Sequence, residues 1–296
     1  MESIQKNSLK AWFYAVRPKT LSASFVPVMV GCALAVHVYS FDWTPALLCL
    51  AFALLAQIAS NFSNDYFDFV KKTDNEHRLG PARAVASGWI KPKTMLLATV
   101  FVVLLACVVG LGLIQYGGLS MIWVGVACVV ALFAYTAGPF PLAYRGLGDV
   151  FVFVFFGLVA VVFTYYVQLH TFEPLVFAAG AIVGLQQVNI LVVNNYRDRE
   201  NDAASNKRTS IVLFGEKFGR YFYLFNGIAA CLLCLLYYYE SRYATFLPWL
   251  FLIPHIRTWR KLCSIREGRA LNALLGETSR NLLLLGALFA LGLLIE

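Results

Sequence analysis

Residues 43–68 read WTPALLCLAFALLAQIASNFSNDYFD, an apolar run long enough to cross a lipid bilayer that ends in a polar cluster containing Asn64, Asp65 and Asp68. A second cluster, Asn194-Asn195-Tyr196-Arg197-Asp198-(x3)-Asp202, ends another apolar run 130 positions later. An aspartate at the centre of a membrane helix costs about 2.5–3.5 kcal/mol, and less towards the interface. Carboxylates kept beside two such helices indicate that the chemistry of the protein lies there.

The composition is that of a membrane protein. Of 296 residues, 60% are hydrophobic and 14% are charged, against about a quarter charged in soluble domains, and the mean hydropathy is +0.69. Crossing a bilayer takes about 17–25 apolar residues, and candidate spans lie at 21–39, 43–62, 94–114, 119–137, 149–169, 174–194, 219–239, 243–257 and 280–295. The sequence therefore predicts an all-α polytopic membrane protein with nine transmembrane helices around a central cavity.

The lysines and arginines predict the orientation of these helices. Cytoplasmic loops carry an excess of both residues. If the N-terminus is cytoplasmic, all of the 24 basic residues except Arg242 fall on the cytoplasmic side, and so do both polar clusters. The net charge of +8 then follows from topology and indicates membrane lipid and an anionic substrate as partners. Because the basic residues are divided among short loops, no nucleic-acid groove is expected.

The two clusters resemble each other in their helical spacing. If the second and sixth predicted helices continue through them, each cluster places its polar side chains along one helix face. These side chains are Asn61, Asn64, Asp65 and Asp68 in the first cluster, and Asn194, Asn195, Asp198 and Asp202 in the second. We interpret the chain as one domain, 1–296, with helical repeat halves at roughly 11–145 and 146–296. Two carboxylate-bearing faces can then converge on one cavity.

The residue types in the clusters favour a hard metal ion. Asp and Asn supply only oxygen ligands, and a site offering one or two carboxylates per ion suits Mg²⁺, which completes its shell with water and substrate phosphates. A diphosphate bridged between the two carboxylate sets is the substrate group that this arrangement predicts. Basic residues that follow the clusters are candidates for its remaining oxygens: Arg78, Arg83, Lys91, Lys207 and Arg208.

Other basic residues have a simpler explanation. Arg17 and Lys19 stand at the cytoplasmic mouth of the first span, where topology alone accounts for them, although a phosphate contact stays open. Lys71, Lys72, Lys217 and the basic run at 257–269 are interpreted as topology-setting residues in solvated loops.

A loop rich in glycine and proline separates the fourth and fifth predicted spans. It runs from Tyr135 to Asp149, and its helix-breaking residues let the backbone turn towards the cavity. A tight connecting loop would have the same composition. If the loop contributes to the site, Tyr144 and Asp149 are its candidate side chains.

Together these motifs resemble the UbiA superfamily of intramembrane aromatic prenyltransferases, which carries two Asp-rich motifs on the second and sixth of nine helices. The resemblance covers nearly the whole chain, through Arg17-Pro18-Lys19-Thr20, Asn64-Asp65-Tyr66-(x)-Asp68, Asp74-(x3)-Arg78-(x)-Gly80-Pro81-(x)-Arg83, Tyr144-(x)-Gly146-Leu147-Gly148-Asp149 and Asn194-Asn195-(x)-Arg197-Asp198-(x3)-Asp202-(x4)-Lys207-(x)-Thr209. The commoner first motif has a third Asp at the position of Lys72. Asp74, together with the segment 78–83, is similar to the branch that acts on 1,4-dihydroxy-2-naphthoate.

The resemblance implies an activity and a site. Mg²⁺ would be held by Asp65, Asp68, Asp74, Asp198 and Asp202, with Tyr144 and Asp149 as further catalytic candidates. The implied reaction joins the prenyl group of polyprenyl diphosphate to 1,4-dihydroxy-2-naphthoate, with loss of CO₂ and diphosphate, to give demethylmenaquinone. The implied location is a bacterial cytoplasmic (inner) membrane. Alternatives are a UbiA-type enzyme for 4-hydroxybenzoate or haem, and a secondary transporter, whose polar groups would lie nearer the membrane midplane.

Overall fold

The computed structural model describes residues 4–73 and 79–295, and within them the regular structure is helical. The α-helices are α1 (Leu9–Val16), α2 (Ser22–His37), α3 (Trp43–Val70), α4 (Pro92–Gly112), α5 (Ile114–Gly117), α6 (Ser120–Thr136), α7 (Gly148–Val152), α8 (Ala160–Leu169), α9 (Pro174–Ala204), α10 (Ser210–Cys234), α11 (Arg242–Phe246), α12 (Leu252–Ile265) and α13 (Leu271–Ile295). Short 3₁₀ turns and one π-helical segment, Phe153–Val159, join some of them. The all-α prediction is confirmed.

The described helices support fewer membrane crossings than the nine predicted. Six are long and apolar enough to span a bilayer: Trp43–Val70, Pro92–Gly112, Gly148–Leu169, Pro174–Ala204, Ser210–Tyr237 and Leu271–Ile295. Residues 9–37 supply a seventh only if the helices on either side of a 45° bend count as one span. Helix α6 is apolar but has 17 residues. The count of nine therefore stays a prediction.

The predicted eighth span, 243–257, is not one helix. Its residues are divided between α11, a 3₁₀ segment at Leu247–Phe251 and α12. Pro248 stands at the start of the 3₁₀ segment, where a missing N–H interrupts helical hydrogen bonding. The sequence pattern had merged these pieces because all of them are apolar on average.

Helices α3 and α9 carry the two acidic motifs and are the longest in the described chain. The prediction that both continue through their motifs is confirmed, since α3 runs 28 residues to Val70 and α9 runs 31 residues to Ala204. At 1.5 Å per residue α3 is about 42 Å long, more than the ~30 Å hydrocarbon core. The last turns of α3 can therefore present carboxylates outside the hydrocarbon.

The π-helical segment crosses α9 at a contact between glycines. A Cβ added to Gly157 would lie 2.5 Å from the Cα of Gly184, closer than real Cβ contacts allow. The two backbones therefore touch directly. A π segment widens the helix by one residue and is common at functional sites; here its residues Phe155 and Phe156 line a central cavity.

The loop between α6 and α7 turns back over the second acidic motif. Gly138 and Gly146 have φ of +76° and +75°, which confirms the predicted glycine turns. The backbone N–H of Arg208 donates to the carbonyl of Tyr144 (3.2 Å), so the loop is fixed to the segment that follows α9. This contact brings Tyr144 to the end of the molecule that carries both acidic motifs.

Candidate active site

Asp68 lies at the centre of the site. Its carboxylate is buried, and its Oδ1 accepts a hydrogen bond from the Tyr144 hydroxyl at 2.8 Å. Thr73 closes the arrangement, with its hydroxyl 2.9 Å from the Tyr144 oxygen and 3.0 Å from the Asp68 carbonyl. One guanidinium nitrogen of Arg83 lies 3.5 Å from Oδ2 of Asp68. The structure thus brings together three of the predicted residues, Asp68, Arg83 and Tyr144.

Asp65 holds the loop that follows the first motif. Its two carboxylate oxygens accept hydrogen bonds from the backbone N–H groups of Ala84 (3.0 Å) and Val85 (3.2 Å). Asp65 is 1% exposed. Because Arg83 directly precedes these amides, the anchor also sets the position of the guanidinium beside Asp68.

In the second motif, Asp198 is paired with its neighbour Arg197. Two guanidinium nitrogens donate to the two carboxylate oxygens at 2.8 and 2.5 Å. The third nitrogen of Arg197 donates to the amide oxygen of Asn272 (2.9 Å), and Asn272 in turn donates to the carbonyl of Leu79 (2.9 Å). A chain of contacts therefore joins α9, α13 and the loop held by Asp65.

Asp202 has an oxygen available for a ligand. The residue is 3% exposed; Lys207 lies 3.4 Å from Oδ1, and Oδ2 is buried with no hydrogen-bond partner among the described residues. Its carboxylate is within electrostatic range of Asp198 and Asp68. The adjacent Asn201 donates to the Thr73 carbonyl (3.0 Å), which links the two motifs.

Two lysines flank the ring of Tyr144. The ammonium of Lys71 lies 4.6 Å from the ring centroid and that of Lys207 lies 5.6 Å from it. Lys71 also donates to the Thr136 carbonyl (2.6 Å), while the Thr136 hydroxyl donates to the side-chain oxygen of Asn64 (3.0 Å). Partial burial lowers the pKa of Lys71, and the negative charge of Asp68 opposes that shift. The interpretation of Lys71 as only a topology-setting residue missed this position.

Asn61 and Arg17 tie the N-terminal helix to α3. The Asn61 amide donates to the Val16 carbonyl (2.9 Å) and to the Thr20 hydroxyl (3.0 Å). Arg17 donates to the backbone carbonyl of Asn61 (3.4 Å). Lys19 is exposed on the surface. Through these contacts Asn61 and Arg17 support the helix that carries the first motif.

The remaining predicted residues are less central. Asn194 donates to the Ile190 carbonyl one turn earlier (3.2 Å), and Asn195 is buried. Arg208 has an exposed side chain. Asp74 and Arg78 lie outside the described residues. Five residues to which sequence reasoning gave no role in the site make contacts there: Lys71, Thr73, Arg197, Asn201 and Asn272. Arg197 was quoted in the second motif without a role, and the other four lie outside the polar positions of the two clusters.

A largely apolar cavity of about 150 Å³ begins next to the first motif. Along α3 its lining residues recur with helical spacing from Ser60 back to Cys49, and α2, α6, α7 and α8 supply other walls. Five phenylalanines line it: Phe52, Phe151, Phe155, Phe156 and Phe163. The predicted central cavity is thus present, and its aromatic lining could not be assigned from sequence.

Tyr135 connects this cavity to the carboxylates. Its ring lies 5.1 Å from that of Phe151, which is 4.6 Å from Phe155, and its hydroxyl is within electrostatic range of Asp149, Asp68 and Asp202. Asp149 is 9% exposed and its Oδ1 is buried without a hydrogen-bond partner in the described structure. A polar end and an apolar, aromatic interior therefore belong to one continuous site.

The donor set fits a divalent cation, although the described residues do not form a closed metal cluster. Asp65 engages backbone amides, and Asp198 engages Arg197. Two oxygens are best placed for an ion. One is the buried Oδ2 of Asp202, which has no hydrogen-bond partner among the described residues. The other is the Oδ2 of Asp68, whose contact with Arg83 is long, at 3.5 Å. Carboxylate oxygens of this kind suit Mg²⁺.

Residues 24–294 match the model of the UbiA prenyltransferase family. The chain belongs to the UbiA prenyltransferase family. It is 34% identical, over 310 aligned positions, to the 1,4-dihydroxy-2-naphthoate octaprenyltransferase of Escherichia coli (strain K12), with 100% of this chain and 99% of that protein covered. Family membership confirms the resemblance seen in the two Asp-rich motifs.

Solved structures of UbiA homologues share the fold. The apo homologue from Aeropyrum pernix K1 matches 91% of this chain and 97% of its own, with a TM-score of 0.68 and 15% identity. The Archaeoglobus fulgidus homologue bound to GPP and Mg²⁺ matches 94% of this chain and 99% of its own, with a TM-score of 0.57 and 14% identity. At these identities the comparison shows a common UbiA architecture.

Proposed function

We propose that the protein transfers a polyprenyl group from polyprenyl diphosphate to 1,4-dihydroxy-2-naphthoate in a Mg²⁺-dependent reaction that releases CO₂ and diphosphate and gives demethylmenaquinol, the hydroquinone form of demethylmenaquinone. The observation that carries the proposal is that Asp68 and Asp202, from two distant helices, come within electrostatic range of each other, beyond the part of α3 that lines an aromatic cavity. The full-length similarity to an octaprenyltransferase named for this acceptor supports the choice of naphthoate over hydroxybenzoate or haem.

Asp68 and Asp202 are the best-placed ligands for Mg²⁺, with Asp65, Asp74 and Asp198 completing the proposed set. When bound, Mg²⁺ would neutralise the diphosphate and favour its departure from the allylic carbon. Both oxygens of Asp198 engage the Arg197 guanidinium, so Asp198 would share its negative charge between Arg197 and a bound ion. Asp65 contributes at least by holding the loop that carries Arg83.

Basic side chains around the carboxylates bind the diphosphate in this proposal. Arg83, Lys71 and Lys207 surround Asp68, Tyr144 and Asp202, and charged donors form the stronger hydrogen bonds to phosphate oxygen. Tyr144 orients Asp68 through its hydroxyl. Further polar residues are proposed to complete the diphosphate site: Asn64, Arg78, Asn194, Asn195 and Arg208. Three more are proposed to support it from the N-terminal side: Arg17, Lys19 and Asn61.

The apolar residues protect the reacting carbon. Phe151 and Phe155 lie between Tyr135 and the cavity interior, where aromatic faces stabilise positive charge and exclude water. The ring carbon of the acceptor that bears the carboxylate attacks the allylic carbon, and loss of CO₂ restores aromaticity. Asp149, with a buried oxygen that has no partner in the described structure, is positioned to take a proton from an acceptor hydroxyl.

The cellular placement follows from the same chemistry. The donor tail and the product are lipids, whereas the acceptor and diphosphate are water-soluble. The acidic motifs therefore face the cytoplasm, with the N-terminus on that side, in a bacterial inner membrane. The excess of basic residues on this face supports the orientation.

An assay of membranes that contain the protein tests the proposal. The reaction contains polyprenyl diphosphate, Mg²⁺ and 1,4-dihydroxy-2-naphthoate labelled at the carboxyl group. Labelled CO₂ released only when all three are present is the expected result. Prenylation of 4-hydroxybenzoate instead, or transport without product, contradicts the naphthoate assignment.

The metal assignment has its own test in two variants. Asp65→Asn and Asp198→Asn are each expected to abolish turnover while membrane insertion, measured by fractionation, stays normal. Full activity in both variants would contradict the proposed metal site.

A further inference from the structure

Two glycines line the cavity, Gly110 and Gly125, and Gly125, on α6, is the one with free space where a side chain would be. It lines the cavity together with Met121 one turn before it and Cys128 one turn after it. A Cβ built on Gly125 meets no atom within 4 Å. The space beside α6 at this height is therefore free, and a small side chain would project into it without a clash.

The far end of the cavity is closed. Val28, Cys49, Leu113, Met121 and Val167 are all buried and form one hydrophobic cluster there, and each of them also lines the cavity. Between Ser60 and Cys49, the first and last lining positions on α3, the helix rises about 16 Å. A prenyl chain longer than this length cannot continue straight past the cluster.

Gly125 also borders the outer surface of the bundle. It is partly exposed, and its neighbours Ile122 and Val126 are exposed apolar residues that would face lipid. The free space beside Gly125 thus adjoins both the cavity and the outer surface of α6.

We propose that the distal isoprene units of the donor pass α6 at Gly125 into the lipid, so that the residue at position 125 sets the longest donor that the enzyme accepts. This inference rests on the proposed prenyl-transfer function and adds a chain-length determinant to it. The proximal units stay among the phenylalanines of the cavity, and the diphosphate stays at the carboxylates. A short donor needs only the enclosed part.

A competition between two donors tests the inference. Farnesyl diphosphate and octaprenyl diphosphate are supplied together with the acceptor, and the ratio of the two products, measured by mass spectrometry, reports the ratio of their kcat/KM values. Gly125→Leu is expected to lower the octaprenyl-to-farnesyl ratio by about 10–100-fold, since misfit of a few carbon atoms in an apolar site is worth factors of this size. Gly125→Ala is expected to give a smaller shift in the same direction.

Ala127→Leu is the matched control. Ala127 lies two residues along α6 with an exposed side chain and is not part of the cavity wall, so its product ratio should equal that of the unaltered protein. An unchanged ratio in Gly125→Leu, or an equal loss of both donors in Gly125→Leu and Gly125→Ala, overturns the inference. Failure of the unaltered protein to prenylate with either donor would instead overturn the proposed function.

Discussion

The hydroxyl of Tyr144 donates a 2.8 Å hydrogen bond to Asp68, joining the loop between α6 and α7 to the first acidic motif. Tyr144→Phe removes this donor and the contact with Thr73 but keeps the ring that Lys71 and Lys207 face. A hydrogen bond to a charged group contributes about 1.5–3 kcal/mol. We therefore expect kcat/KM for the donor to fall about 10–100-fold, with a higher Mg²⁺ requirement in a metal titration. Unaltered kinetics at all Mg²⁺ concentrations would show that Asp68 needs no orientation by Tyr144.

The anchor between Asp65 and the amides of Ala84 and Val85 predicts a change in loop mobility. In Asp65→Asn one carboxylate oxygen is replaced by an NH₂ group, which faces a backbone donor and cannot accept its hydrogen bond. Limited trypsin digestion should then cleave after Arg83 faster than in the unaltered protein.

Asp42→Asn serves as the control for this digestion. Asp42 caps the opposite end of α3, and Asn is an equally good N-cap. Equal cleavage rates at Arg83 in Asp65→Asn and Asp42→Asn would disprove the anchoring role.

Arg197 neutralises Asp198 in the absence of a metal ion. The pair is buried, with side-chain exposures of 1% and 14%, and removing one partner of a buried pair costs about 3–5 kcal/mol. Arg197→Gln should therefore lower the thermal unfolding midpoint in detergent when EDTA is present. Because Mg²⁺ stabilises the folded state that binds it, added Mg²⁺ should raise the midpoint of the variant more than that of the unaltered protein. An equal Mg²⁺-induced rise of the unfolding midpoint in both proteins would show that Arg197 does not affect metal binding.

The contact between Gly157 and Gly184 predicts an effect on stability alone. Ala is normally the better helix former by about 1 kcal/mol. At Gly157, however, a methyl group would overlap the backbone of α9, and overpacking costs about 1–3 kcal/mol. Gly157→Ala should lower the unfolding midpoint, whereas Gly125→Ala, where the added group meets nothing, should leave it unchanged or raise it. An unfolding midpoint that is lower in Gly125→Ala than in Gly157→Ala would contradict the direct backbone contact between Gly157 and Gly184.

Asp149→Asn should separate ionisation of the donor from transfer to the acceptor. Loss of a general base typically costs about 10²–10⁴-fold in kcat. The variant should still release diphosphate slowly from the donor, because Asp149 is not among the proposed metal ligands. Release of diphosphate and formation of product can be followed in the same reaction. Normal product formation would remove Asp149 from the proposed mechanism.

The sequence predicted those parts of the site that repeat at helical spacing. Asp68 and Asp202 could be placed on helix faces because α3 and α9 keep their 3.6-residue period through the motifs. Thr73, Asn201 and Asn272 could not, since each contacts residues far along the chain that no local pattern encodes. Arg197 was quoted within the motif, but the hydrogen bond that it donates to Asn272, 75 residues away, could not be predicted.

In the fold, too, the features that a local sequence pattern encodes could be predicted and the others could not. Apolar periodicity predicted long helices, and the structure has them at most of the expected positions. Mean hydropathy could not distinguish one continuous span at 243–257 from the short pieces interrupted at Pro248. The π segment at Phe153–Val159 was also outside prediction, because no pattern identified in the sequence marks it, although it contains the Gly157 that contacts Gly184.

The bond from Asn272 to the Leu79 carbonyl has a consequence for the order of synthesis. Both acidic motifs emerge from the ribosome before residue 272, so a growing chain that already contains every proposed metal ligand has its active-site loop fastened from one side only. The second fastening, and with it the support of Arg197, arrives with α13. A fragment that stops before this helix therefore carries the full set of carboxylates without the assembled site.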